Sequence, residues 1–237
     1  MRTVAVVLGG GSGERFGTGV PKQLLPLAGR PVIEHSVAAF ERAPGVDAIL
    51  VVMAAEYTGQ VTDQLAAGGY GKLQGIIAGG ATRAESTWRA ITELGDQDCD
   101  VLFHDAARPL IDGQIIAACM AALAGHRAIG VAVPSSDTII EVSDGIMTAM
   151  PRRDTLARCQ TPQGFRLSVI RHAYQLARAD PGFSSRPATD DCGIVLRYLP
   201  EVSVHIVPGS ERNLKITFPG DLAIAETLIA PRPPASR

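Results

Sequence analysis

The chain has 237 residues, of which 46% are hydrophobic and 19% charged, and its net charge is −2. This supports a sizeable core in one large domain, or a domain with a small insertion, and excludes extended disorder. The charge leaves no nucleic-acid footprint, no apolar run reaches the ~18 residues of a membrane span, and the N-terminus lacks the layout of a cleaved leader. The expectation is a soluble cytoplasmic protein. Cys99, Cys119, Cys159 and Cys192 lie far apart with no C-x-x-C pair, which argues against a zinc site and a disulfide framework.

In chain order, residues 4–8 (VAVVL) read as a buried strand that runs into Gly9-Gly10-Gly11-Ser12-Gly13-Glu14-Arg15. Residues 31–42 fit a helix with Pro31 in its first turn, and 48–53 (AILVVM) a central strand apolar on both faces. A helix over 57–67, a short strand over 75–78 and a helix over 82–94 follow, the last with Thr82 and Glu85 in capping-box spacing. Residues 101–105 (VLFHD) are a strand ending in a carboxylate; 113–124 read as a helix and 128–133 as a strand stopped by Pro134. The alternation predicts an α/β fold with a mostly parallel, Rossmann-like sheet covered by helices on both faces. In such sheets ligands bind outside the carboxyl ends of the strands. Gly9–Arg15, Gly79–Ser86 and Asp105–Arg108 all fall there.

The rhythm changes at Ser135. Residues 137–142 and 146–150 flank Ser143-Asp144-Gly145 and read as a hairpin. A two-stranded arm alone is marginal in water, so packing on a second subunit is expected; the plainer alternative is a hairpin extending the sheet edge. Helices over 167–179, from about Thr189, and over 219–229 complete the pattern, with a strand over 204–207. The expected organisation is one domain over 1–230, an arm insertion at about 136–157 and a disordered tail at 231–237.

The glycine turn fits neither a dinucleotide fingerprint nor a Walker A loop, because Phe16 and Glu14 stand where those motifs need glycine. Its backbone amides, with Arg15 and Lys22, still suit a triphosphate: a guanidinium holds two oxygens and a lysine acts as a point charge. The bland reading of both is solvated surface cations. Asp105, beside small Ala106 and Ala107, could help hold hydrated magnesium or orient a hydroxyl; its alternatives are a helix cap or a salt bridge to Arg108. The five histidines show no metal spacing, and Trp88 reads as core.

Taken in order, the glycine turn, P-K-Q at 21–23, E-H-S at 34–36, G-G-x-x-R-x-x-S at 79–86, H-D-A-A-R-P at 104–109, D-T at 137–138, T-P-Q at 161–163, T-D at 189–190 and N-L-K-I-T at 213–217 resemble the 2-C-methyl-D-erythritol 4-phosphate cytidylyltransferase family over nearly the whole chain. The resemblance implies that CTP and methylerythritol phosphate, with Mg2+, give the CDP-alcohol and pyrophosphate, a step of non-mevalonate isoprenoid synthesis. It implies a triphosphate and base cradle at Gly9, Gly10, Gly11, Ser12 and Gly13, and transition-state cations at Arg15 and Lys22. Gly80, Arg83 and Ser86 match the cytosine side, and Asp105 and Ala106 the neighbourhood of ribose, metal and acceptor. Thr138 and Arg153 would reach from the arm of a homodimer partner to the acceptor phosphate. Thr161, Thr189 and Lys215 match further acceptor contacts, with Lys215 also positioning the attacking phosphate. The chain departs from the family at Leu8-Gly9-Gly10-Gly11, where alanines are usual, and at Ala81, where an acidic residue is common. Residues 160–166 and the Pro-rich tail also resemble the first half of bifunctional enzymes fused to the cyclodiphosphate synthase. The rival assignments are another sugar-phosphate or cofactor nucleotidyltransferase of the same fold, and a non-catalytic nucleotide-binding protein.

Overall fold

The computed structural model describes residues 1–10, 20–183, 185 and 188–229. The first half builds β1 (Arg2–Gly9), a small β2–β3 hairpin (Pro26–Leu27, Arg30–Pro31), α1 (Val32–Arg42), β4 (Ala48–Met53), α2 (Thr58–Ala67), β5 (Leu73–Ala78), α3 (Arg83–Leu94) and β6 (Cys99–Asp105). The second half adds α4 (Gly113–Leu123), β7 (Ala128–Pro134), β8 (Glu141–Ser143), β9 (Ile146–Ala149), β10 (Ala157–Arg166), α5 (Leu167–Ala179), α6 (Asp191–Tyr198), β11 (Val204–Pro208) and α7 (Pro219–Ile229). Among the described residues no helix is long and apolar enough to cross a membrane.

Seven strands form one sheet in the order β11-β7-β10-β6-β1-β4-β5. β10 alone runs against its neighbours; β1 pairs in parallel with β4 and β6, β4 with β5, and β7 with β11. The expected mostly parallel α/β sheet is therefore present. Because successive side chains of a strand point to opposite faces, β1 divides its residues between two cores. Val4, Val6 and Leu8 pack with α3, α5 and α6, while Ala5 and Val7 pack with α1, α2 and α4. A smaller cluster of Leu27, Val32, Ile216 and Ala225 seats α7 against the β2–β3 hairpin.

Local chemistry sets several boundaries. Thr82 accepts from Glu85 N while Glu85 Oε2 accepts from Thr82 N, so α3 opens with the anticipated capping box. α6 starts at Asp191 rather than at about Thr189, because Asp190 caps it, accepting from Gly193 N. Pro31 likewise precedes α1 rather than joining it. β10 was not foreseen as a strand, because its run ARCQTPQGFR is polar, unalternating and contains Pro162. It is a strand because it is squeezed between β6 and β7, and its pairing with β7 is irregular between Gln160 and Gln163, where a proline without an N–H is tolerated.

The arm is a hairpin of its own. β8 and β9 form a separate two-stranded sheet, which excludes the sheet-edge alternative. Asp144 and Gly145 close it with φ of 52° and 77°, the positive pair that a two-residue primed turn requires. Ile139, Ile140, Val142, Ile146, Met147 and Met150 on it are all exposed.

Gly164 in β10 sits where a Cβ would come within 2.9 Å of Ile129 Cγ1 and Leu102 Cδ2, both side chains fully buried. Gly164→Ala is expected to cost about 1–3 kcal/mol by overpacking, read as a lower urea midpoint. Gly113→Ala, with nothing within 4 Å of its Cβ, is the control and leaves the midpoint unchanged or raised. Equal midpoints for both variants would contradict this packing.

Candidate active site

The carboxyl ends of the parallel strands share one edge of the sheet, and the candidate residues gather there. At the end of β1, Gln23 is buried and donates from Nε2 to the Gly9 carbonyl at 3.0 Å, so P-K-Q braces the start of the glycine turn. A Cβ on Gly10 would stand 2.8 Å from Ser86 Oγ. A Cβ here is accommodated only if the Ser86 hydroxyl shifts, so glycine lets the chain lie close against the start of α3. Ser86 is itself buried and accepts from Gly80 N at 3.1 Å, which draws the Gly79-Gly80 turn over the end of β4. Gly79 N in turn donates to the Met53 carbonyl. Gly11, Ser12, Gly13 and Arg15 lie outside the described residues; Lys22 is described and opens a short 3₁₀ turn beside Gln23.

At the end of β6 stands a charge cluster. Asp105 Oδ2 accepts from Lys215 Nζ at 2.7 Å, and its Oδ1 accepts from Arg83 Nε at 3.2 Å. Arg108 Nε lies 4.0 Å from the same carboxylate. Burial alone would raise the Asp105 pKa, but the Arg83 and Lys215 charges overcome that and hold it well below the usual carboxylate range. Arg83 is pulled down by desolvation and up, more strongly, by Asp191 and Asp105, so it stays charged. Lys215 keeps 41% of its side chain exposed at the open edge. Two carboxylates (Asp105, Asp191) against three cations (Arg83, Arg108, Lys215) leave the cluster net positive, which favours an anionic ligand.

The backbone around Asp105 is tied on every side. Ala106 N donates to the Leu8 carbonyl, joining the ends of β6 and β1. Ile216 N donates to the Ala107 carbonyl, and Arg108 Nη1 donates to the Asn213 carbonyl at 2.8 Å, so N-L-K-I-T is laced onto H-D-A-A-R-P and carries Lys215 to Asp105. Asn213, fully buried, donates to the Thr161 carbonyl at 2.8 Å. Ser36 from E-H-S approaches the Ala106 and Arg108 carbonyls. Thr161 Oγ1 accepts from Asp105 N at 3.1 Å and meets His104 Nδ1 at 3.0 Å, while His104 Nε2 meets the Arg108 carbonyl at 3.0 Å. This assigns the proton of a neutral His104 to Nε2, with Thr161 donating to Nδ1.

Sequence reasoning passed over Gln23, Arg108, Asn213, His104 and Asp191 as functional groups. Four of them stand inside quoted motifs, which was the available signal; Asp191 directly follows one. Thr189 is exposed just before α6. Thr138 is exposed, and Arg153 donates to the Ser136 carbonyl at 3.4 Å at the base of the arm. Among the described residues no contact joins Thr138 or Arg153 to the Asp105 cluster within one chain.

Magnesium is the metal that the resemblance implies. Among the described residues no three His, Cys, Asp or Glu side chains are grouped to hold a metal ion, and cations engage both oxygens of Asp105. This donor set does not fit a metal caged by protein side chains.

The family model described as 2-C-methyl-D-erythritol 4-phosphate cytidylyltransferase matches residues 3–230. A protein of that name from Thermobifida fusca (strain YX) is 51% identical over 96% of this chain and 93% of its own. A bifunctional ribulose 5-phosphate reductase/CDP-ribitol pyrophosphorylase from Haemophilus influenzae is 37% identical over 98% of this chain, which spans 49% of that longer protein. The crystal structure of 4-diphosphocytidyl-2C-methyl-D-erythritol synthase from Anaerococcus prevotii DSM 20548 superposes with a TM-score of 0.84 at 26% identity, covering 96% of this chain and 95% of that one.

Burial lowers the His104 pKa from 6.5 to about 4. His104 stays neutral in the fold while the unfolded chain protonates near 6.5, so its contribution to stability is full above that pH and is lost as pH falls towards 4. The loss amounts to about 3 kcal/mol across the window. His104→Asn is expected to flatten the slope of urea stability between pH 6.5 and 4.5 relative to the parent chain. Identical slopes for the two would show that His104 titrates normally.

Proposed function

The chain belongs to the 2-C-methyl-D-erythritol 4-phosphate cytidylyltransferase family, and we propose that it transfers the cytidylyl group of CTP to 2-C-methyl-D-erythritol 4-phosphate. The acceptor's phosphate oxygen attacks the α-phosphorus of CTP, the bond to the β-phosphate breaks, and pyrophosphate leaves with that electron pair. Such chemistry needs charge neutralisation and in-line placement more than covalent help from the protein. The observation that carries the reading is the Lys215–Asp105–Arg83 cluster at the sheet edge beside the glycine turn.

In this reading Gly9, Gly10, Gly11, Ser12 and Gly13 cradle the triphosphate, and Arg15 and Lys22 stabilise the charge on the transferring group. Gly80, Arg83 and Ser86 frame the cytosine side, the first two through a turn held rigid by Ser86 and by the capping box. Asp105 and Ala106 border the ribose. Lys215, held in place by Asp105, turns its remaining N–H donors to the acceptor phosphate; Thr189 lies on the acceptor side, and Thr161 serves through its hold on the Asp105 backbone. Mg2+ would neutralise charge on the triphosphate, and Asp105, both of whose oxygens are engaged by Arg83 and Lys215, is not assigned as its ligand. The exposed apolar arm supports a homodimer: Thr138 and Arg153 have no role in their own chain's cluster, and the arm buries its isoleucines and methionines only by packing on a second copy. In this reading the chain works in the cytoplasm, consistent with no helix among the described residues being long and apolar enough to cross a membrane.

A second acceptor is favoured by one observation, the Haemophilus influenzae relative named for CDP-ribitol formation. Pyrophosphate release is therefore measured with each nucleoside triphosphate, Mg2+ and either methylerythritol phosphate or ribitol 5-phosphate. Release with CTP that depends on methylerythritol phosphate is expected; release only with ribitol 5-phosphate would transfer the assignment to that polyol. Lys215→Ala is expected to lower kcat about 100-fold or more, the scale of losing one positioned charge in phosphoryl chemistry. Mixing inactive Arg153→Ala with inactive Lys22→Ala should restore about one quarter of the parent activity, since half the dimers are mixed and half their sites intact. No recovery after demonstrated subunit exchange would mean that each chain completes its own site.

A further inference from the structure

The chain of charges at the site continues beyond Asp105 into the protein. Arg83 Nη2 forms an ion pair with Asp191 Oδ2 at 2.8 Å, without the alignment of a hydrogen bond. Asp191 is wholly buried, in the first turn of α6, and its other oxygen accepts from Tyr174 OH at 2.7 Å. Gln163 Oε1 accepts from the backbone amides of Asp191 and Cys192, and Gln163 Nε2 donates to Asp190 Oδ2, which pins that turn to β10. Tyr174 is held by the ring of Trp88, stacked at 6.2 Å. Five groups thus form one line: Tyr174, Asp191, Arg83, Asp105, Lys215.

On the family reading above, in which Lys215 serves the acceptor phosphate, we propose that Asp191 is a positioning residue for the transfer reaction, holding one edge of the Arg83 guanidinium so that Asp105 keeps an oxygen for Lys215. A guanidinium grips a carboxylate best through two parallel N–H bonds. With its Nη2 edge committed to Asp191, Arg83 offers Asp105 only Nε, at 3.2 Å, and Asp105 Oδ2 remains with Lys215 at 2.7 Å. Without the Asp191 charge, Arg83 takes both oxygens of Asp105 and Lys215 is displaced. A buried carboxylate is costly unless paired, and this one spends its pairing on a residue that lines the site. Asp191 also stands two residues from Thr189, so the same contact sets the acceptor-side segment relative to α3. The plainer role is a tie between α3 and α6, which would affect stability and leave the chemistry alone.

The test compares kcat for CTP and methylerythritol phosphate, the Kd for CTP by calorimetry, and the urea midpoint. Asp191→Asn is expected to lower kcat about tenfold or more while the CTP Kd stays within about threefold. In a Lys215→Ala background the same substitution should change kcat by less than about twofold, because its target is already gone. Costs that multiply, kcat within threefold of the parent, or CTP affinity falling in step with kcat would overturn the proposal. If Asp191→Asn does not fold, Tyr174→Phe tests the same line more gently: kcat falls about threefold with the Kd unchanged, and an unchanged kcat overturns the role. A parent chain that cytidylylates only a different acceptor would correct the substrate, with Asp191 scored on that acceptor; a parent chain without cytidylyl transfer would overturn both readings.

Discussion

A carboxylate buried at the end of a central strand is tolerable only in the company of cations, and that requirement organises the molecule's working edge. Asp105 sits on β6 next to β1, where burial would keep an unpaired acid neutral. Arg83, Lys215 and Arg108 reach it from three separate segments of chain, at the start of α3, ahead of α7 and just after β6 itself. Satisfying one charge therefore brings together three stretches distant in sequence. The same convergence gives the edge its positive surplus.

The sheet makes that convergence possible. Parallel pairing of β1 with β4 and β6, and of β4 with β5, aligns their carboxyl ends. At those ends Ala106 N donates to the Leu8 carbonyl and Gly79 N to the Met53 carbonyl, while the Gln23 and Ser86 side chains hold Gly9 and Gly80. The reversed strand β10 has a different task. It threads between β6 and β7 and offers polar side chains at the sheet edge, where Thr161 and Gln163 fasten Asp105 and the first turn of α6. A strand of apolar residues could fill that slot in the sheet but could not make those hydrogen bonds.

The arm follows the opposite logic. It shares no strand pairing with the main sheet and exposes six large apolar side chains. A hairpin with so little to bury gains little stability from its own chain. The proposed homodimer rests on those exposed side chains.

Much of this was legible in the sequence because it depends on local rules. Doubly apolar runs gave the central strands, the Thr82–Glu85 spacing gave the start of α3, and Asp144-Gly145 gave the hairpin, since burial on two faces, capping and positive φ each select residue types directly. The resemblance carried by H-D-A-A-R-P, T-P-Q and N-L-K-I-T named Asp105, Thr161 and Lys215 at the edge, but not His104, Arg108 and Asn213, which hold them there. Three things were decided only by the tertiary structure. β10 is a strand because its neighbours enclose it, against its own polar composition. The close approach of Gly10 to Ser86 is set by where α3 packs. Asp191 matters because folding buries it beside Arg83, 108 residues away in the chain. Local propensity is written in consecutive residues, whereas the partner of a buried charge is chosen by whichever distant segment the packing delivers to it.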